Sequence, residues 1–270
     1  MQDIENSQKV RRLVVVWALA LSGCMPWVGI NQFAGGSIGT TSSGLLVAGE
    51  HLPARGDHFR FYHRGDRRYG VPALTGMIER AAARIAKEHT GSVLWVGDMS
   101  ARTGGFIGGH RSHRSGRDVD LAFYVTSSRR RTARGVPLIR FDRFGVGVRD
   151  KRAYFYDTER NWLLVEAMLT DPEAEVQWIF ASDGIKALLL EWALDHGRDI
   201  ALIEKAATIL HQPGDSSPHD DHFHVRIYCP KGPGSPYCVD TGPIRPWIKR
   251  DDHPQSGFTR DELIRLALES

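Results

Sequence analysis

The sequence has no run of about 20 apolar residues, the length a membrane-spanning helix needs. Its apolar run Leu13–Leu21 is far shorter. An excess of one charge sign is also missing. Lys and Arg number 35 against 32 Asp and Glu, a net +3, which predicts neither a nucleic-acid binder nor an enzyme for acidic substrates. Cysteine is scarce, with three in 270 residues, and no internal repeat is present. No Ser-x-x-Lys occurs, which removes the serine nucleophile that β-lactams acylate. No His-Glu-x-x-His occurs either, which removes a zinc site of that helical kind. What is present is globular: 41% hydrophobic and 25% charged residues exclude disorder and collagen-like repeats. A chain of this length buries a sizeable core without staples.

The N-terminus reads as an address. Lys9, Arg11 and Arg12 precede the apolar run, which ends Leu21-Ser22-Gly23-Cys24. A basic segment, a short apolar segment and a small-residue boundary make a secretory signal over residues 1–23. The boundary resembles a bacterial lipobox, implying lipidation of Cys24; the alternatives are an ordinary signal peptide or an uncleaved anchor. Met25, in place of Asp, points to the outer membrane, and the expected location is the periplasm. Residues 24–50, rich in Gly, Ser and Thr, read as a flexible tether, leaving 51–270 as the folded domain. With Cys24 lipidated, Cys229 and Cys238 remain as an even pair flanking a turn-rich stretch. In an oxidising compartment they are expected to form a disulfide.

Four short strands are expected at Ser92–Val96, Val119–Val125, Val176–Ala181 and His222–Cys229. Helical spacing appears over Ala73–Glu88, Thr158–Leu169, Gly184–His196, Asp199–Leu210 and Thr259–Ala267. Strands and helices do not alternate strictly, so the expected fold is α+β, with a small, mainly antiparallel sheet of about four strands flanked by helices. The arginines Arg129, Arg130, Arg131 and Arg134 read as a solvated loop, or as a contact to an anionic polymer.

Histidine and aspartate concentrate in two places, His110–Asp120 and His219–His224. In a strand, residues two apart share a face. His222 and His224 then face one way, as do Asp118 and Asp120. If the two strands are neighbours, imidazoles and carboxylates converge into a metal-ligating set with room for water. Asp118 is a candidate to hold a ligand histidine by its other ring N–H. Arg102, Arg117 and Arg226 flank the motifs; one of them binds a substrate carboxylate, or they form structural ion pairs.

The spacing of His113 and Asp120, with His222-Phe223-His224 later, resembles the His-x6-Asp … His-x-His pattern of the LAS metallopeptidases. That group includes lysostaphin-type enzymes and D-alanyl-D-alanine carboxypeptidases and dipeptidases, and shares its fold with the hedgehog signalling domain. The wider strings Gly108–His113 and His219–Arg226 resemble its penicillin-insensitive murein endopeptidase branch. The resemblance covers Gly97–Asp120 and His219–Cys229 well. It implies an LAS/hedgehog-like fold with one Zn2+ per chain, held by His113, Asp120 and His224. His222 would be the unliganded catalytic histidine and His219 its neighbour. His110 matches a histidine that in the family helps to bind a second zinc at a dimer interface, so an oligomer is conceivable. The implied activity is hydrolysis of D-alanyl–diaminopimelyl crosslinks in peptidoglycan. The alternatives are another LAS-type wall peptidase (a carboxypeptidase or an LD-endopeptidase) and a silent zinc-containing wall-binding domain.

Overall fold

In chain order, the computed structural model describes residues 36–63, 65–127, 138–231, 235 and 237–249, with four positions near the C-terminus. The first elements are the strands β1 (Gly36–Gly39), β2 (Gly44–Val47), β3 (Glu50–His51), β4 (Phe59–Phe61) and β5 (Tyr69–Gly70), followed by helix α1 (Pro72–Glu88). Then come β6 (Leu94–Val96), β7 (Asp118–Ala122), β8 (Val125–Ser127), β9 (Val146–Arg149) and β10 (Arg152–Tyr156). The rest are α2 (Thr158–Leu169), β11 (Val176–Phe180), α3 (Asp183–Asp195), α4 (Ile200–Ile209), β12 (Leu210–His211) and β13 (His222–Ile227).

The architecture is α+β. Its main sheet has six strands in the order β12-β11-β13-β7-β6-β4. The four strands expected from the sequence are its four inner ones, paired antiparallel throughout. The expected count of four is too low, because β12 and β4 add parallel edges. They are only two and three residues long, too short to show a period-2 pattern.

The helices start where local chemistry can satisfy their free N–H groups. Pro72 sits in the first turn of α1, where a missing N–H costs nothing. Asp157, Ser182 and Asp199 cap α2, α3 and α4 by accepting from Arg160, Ile185 and Leu202 N–H. The cap of α3 is thus Ser182, with Asp183 inside the first turn. Of the expected helix Thr259–Ala267, Asp261, Ile264 and Arg265 are helical; Thr259 lies outside the described residues. Outside them too lie the signal segment, Cys24 and the arginines at 129, 130, 131 and 134.

One face of the sheet is covered. Phe223, Val225 and Ile227 of β13, with Val119 and Leu121 of β7, are fully buried in the same core as Leu74, Ile78 and Ile85 of α1 and Trp162 of α2. Trp162 also donates its Nε1–H to Glu166 at 3.2 Å, so this large side chain is a packing residue. The alternate residues of β13 and β7 are left for the opposite face, where the site lies.

The second half of the expected tether, residues 24–50, is instead folded. Residues 36–47 form the β1–β2 hairpin, with Leu46 wholly buried. The hairpin is held from far along the chain. Gly39 N–H donates to Tyr237 O, Val239 N–H to Gly39 O, and Ser37 N–H to Ser235 Oγ. Ser235 and Tyr237 belong to the loop closed by the Cys229–Cys238 disulfide, and Val239 follows it directly. Arg117 ties the same region to the sheet. It is 1% exposed and donates to Asp240 Oδ1 at 2.7 Å and to the Val239 carbonyl at 3.0 Å. Breaking one half of a buried ion pair strands the other charge. Arg117→Ala is therefore expected to lower stability by about 3–5 kcal/mol, measured by chemical denaturation.

Candidate metal and active site

The site is built where β7 and β13 run side by side. Their register sets His224 opposite Asp120 and Arg226 opposite Asp118. Because alternate strand residues share a face, His222, His224 and Arg226 line up beside Asp118 and Asp120. His113 arrives from the loop before β7. Its backbone is in the left-handed region at φ 64°, unusual for a residue with a Cβ. Neighbouring bonds fix it there: its N–H donates to Asp118 Oδ2 at 3.1 Å, and Ser100 Oγ donates to its carbonyl at 2.7 Å. Strain held in place by surrounding structure is common at functional sites.

Three donor atoms converge. His113 Nε2 and Asp120 Oδ1 are 3.3 Å apart, His224 Nδ1 and Asp120 Oδ1 3.3 Å, and the two ring nitrogens 3.3 Å. Donors about 2.0–2.1 Å from a tetrahedral zinc stand about 3.3 Å from one another. Asp120 Oδ1 is buried and has no hydrogen-bond partner among the described residues. A buried carboxylate oxygen without a partner is costly unless something cationic meets it. The far nitrogens of both rings are occupied. His113 Nδ1 faces the Met99 carbonyl at 3.2 Å, and His224 Nε2 faces Asp118 Oδ1 at 3.0 Å. Such partners orient imidazoles so that the remaining nitrogen points inward. The residues therefore fit a zinc-class cation.

His110 stands beside this triangle, and His110, His113 and Asp120 each bring a donor atom within 4.8 Å of one another. Its Nδ1 is 3.8 Å from Asp120 Oδ2, and its Nε2 is bonded to Asp98 at 2.9 Å. Asp98 also accepts from Arg67 at 3.0 Å. The sequence reading missed Asp98; its position just past β6, in the string Val96-Gly97-Asp98, was the available signal. Asp221 was missed as well. It is bonded to His222 Nδ1, which leaves His222 Nε2 3.5 Å from Asp120 Oδ1.

The electrostatics suit a cation. Burial alone would raise the carboxyl of Asp118, but Arg226 and the His224 imidazole outweigh it and hold the group well below the usual carboxylate range. Asp120 behaves likewise, burial being outweighed by His113 and His222. Burial alone would lower His222, yet Asp120 and Asp221 push it up to about 10. His219 is pulled down to about 4 by burial and by the nearby His224 and His222. Two histidines of one motif thus sit in opposite fields.

The site opens into a cleft of about 570 Å³. Ser42 of the first hairpin, the Gly109–Ser112 loop, Phe180 and the Pro213–His219 loop contribute to its lining. An exposed ion pair, Arg111 to Asp215 at 2.8 Å, joins the two loops. Of the three arginines named from the sequence, Arg117 is consumed by its buried pair with Asp240 and Arg102 is exposed; Arg226 lines the cleft.

Comparison with known proteins agrees with this geometry. Residues 37–253 match the family model described as penicillin-insensitive murein endopeptidase. Penicillin-insensitive murein endopeptidases of Escherichia coli O157:H7 and of Shigella boydii serotype 18 are each 30% identical to the chain over 230 residues. These alignments cover 83% of this chain and 79% of each relative. The match begins within β1 and takes in every residue of the cleft, and the chain belongs to the penicillin-insensitive murein endopeptidase family.

Proposed function

We propose that this protein is a zinc-dependent murein DD-endopeptidase that hydrolyses D-alanyl–diaminopimelyl crosslinks of peptidoglycan. The observation that carries the reading is the triangle of donors at 3.3 Å with an unpartnered buried carboxylate oxygen at one corner. His113, Asp120 and His224 would hold one zinc per chain, and kinship with the LAS group is part of the same proposal. A zinc bound there supplies a Lewis acid that polarises a carbonyl and acidifies water.

The chain's own groups do the rest. His222 is anchored through Nδ1 by Asp221, so its Nε2 is aimed at the centre of the cleft. A cation at the triangle would offset the Asp120 charge that holds this ring protonated; the neutral ring would then take a proton from the attacking water and return one to the leaving amide nitrogen. His219 flanks it, ring centroids 5.6 Å apart, and keeps an apolar contact with Phe180. Asp118 fixes the His224 ring and leaves its Nδ1 free for the metal.

The location proposed is the periplasm, with Cys24 lipidated and anchoring the domain to the outer membrane. The order of basic residues, apolar run and lipobox supports this, as does a Cys229–Cys238 disulfide suited to an oxidising compartment. Elemental analysis of protein purified without added zinc tests the metal assignment: about one zinc per chain is expected, and clearly less contradicts it.

A further inference from the structure

We infer that Arg226 determines substrate specificity by receiving the carboxylate that flanks the scissile amide nitrogen. The inference rests on the endopeptidase reading above and names the group that the same site recognises.

Arg226 is two residues beyond His224 on the same face of β13 and lines the cleft. Its guanidinium is held from two directions. Nε donates to Asp118 Oδ1 at 2.7 Å, and the group lies over the Phe180 ring at 5.5 Å from its centroid. The side chain is only 13% exposed. These contacts use one edge and one face of the guanidinium. Its end-on pair of nitrogens, Nη1 and Nη2, has no hydrogen-bond partner among the described residues. A planar cation fixed in this way presents two parallel N–H groups, the shape that a carboxylate accepts bidentately.

The other arginine lining the cleft cannot do this. Arg111 is 78% exposed and already paired with Asp215. In solvent such a cation gains little from an additional anion.

The spacing fits the substrate. Two strand residues span about 6.6 Å, so an amide seated at His224 lies one side chain away from Arg226. In a D-alanyl–diaminopimelyl crosslink, the carbon bearing the scissile nitrogen also bears a carboxylate. That anion is the charged group nearest the bond that is cut. Replacing it by a neutral amide would leave the guanidinium edge buried against a poor partner.

The test is a pair of crosslinked muropeptide dimers that differ in one group, this carboxylate free in one and a primary amide in the other. The wild-type zinc enzyme is expected to show a kcat/KM about 10- to 100-fold higher on the free acid. Arg226→Gln is expected to lose that preference, its rate on the acid falling about 10- to 100-fold further than its rate on the amide. Arg226→Lys, which keeps the charge without the fork, is expected to retain part of it. An arginine that only steadies Asp118 would slow both substrates equally in Arg226→Gln, and that result overturns the inference. Equal wild-type rates on the two dimers overturn it without any variant. If the wild type cleaves neither dimer, the endopeptidase reading fails, and this inference with it.

Discussion

Asp120→Asn will lose both bound zinc and hydrolysis while remaining folded. The substitution keeps shape and removes only the charge. Asp120 is where every contact of the site meets: three imidazole nitrogens stand 3.3–3.5 Å from its Oδ1, and its carboxyl is held ionised in a buried place. An amide there can face the cavity with an N–H donor and offers no formal charge to a cation. Loss of an outer partner of a metal ligand alone costs about 10- to 100-fold in affinity or activity. Loss of a ligand should exceed that and reach about a thousandfold or more in kcat/KM. The checks are zinc content by elemental analysis, rate on crosslinked dimers, and circular dichroism for the fold. A variant that keeps stoichiometric zinc and a near-normal rate would remove Asp120 from the ligand set.

His222→Ala is expected to separate chemistry from metal binding. Its Nε2 points at the centre but stands 3.5 Å from Asp120 Oδ1, outside the tight triangle. The variant should keep its zinc and lose about 100- to 10,000-fold in kcat, the range for a proton-transfer group. KM should change little, because the lost interaction belongs to the transition state. His219→Ala should cost less, since its ring stands farther from the triangle, with centroids 5.9 Å from His224. Full activity of His222→Ala would contradict the role given to it; a larger loss in His219→Ala would exchange the two roles.

The inner sheet and the convergence of the two motifs were legible because both rest on local patterns. Alternation over Val119–Leu121 and over His222–Ile227 announces strands, and a period of two puts His222 with His224 and Asp118 with Asp120 on one face. That β7 and β13 are neighbours is not written in either segment; it follows from packing the whole sheet. The edge strands β4 and β12 were invisible for want of length. The first hairpin was misread for a different reason. Its Gly, Ser and Thr composition is that of a linker, and its order comes from a disulfide-closed loop almost 200 residues away, with Ser37 and Ser235 separated by 198 positions. The supporting shell of the site was hidden for the same reason. Asp98 and the Met99 carbonyl reach His110 and His113 only after β6 has folded beside β7. Asp221, by contrast, was in plain view next to His222, and only its side-chain direction was unknown.

The most direct test of the central claim is digestion of purified crosslinked muropeptide dimers by the soluble protein from residue 25 onward, with and without EDTA, read by mass spectrometry. The account predicts conversion of dimers to monomers, abolished by EDTA, restored by zinc and unaffected by a β-lactam. Intact dimers in the presence of zinc-loaded protein would contradict it, as would products shortened only at a free C-terminus or cleavage that EDTA leaves untouched.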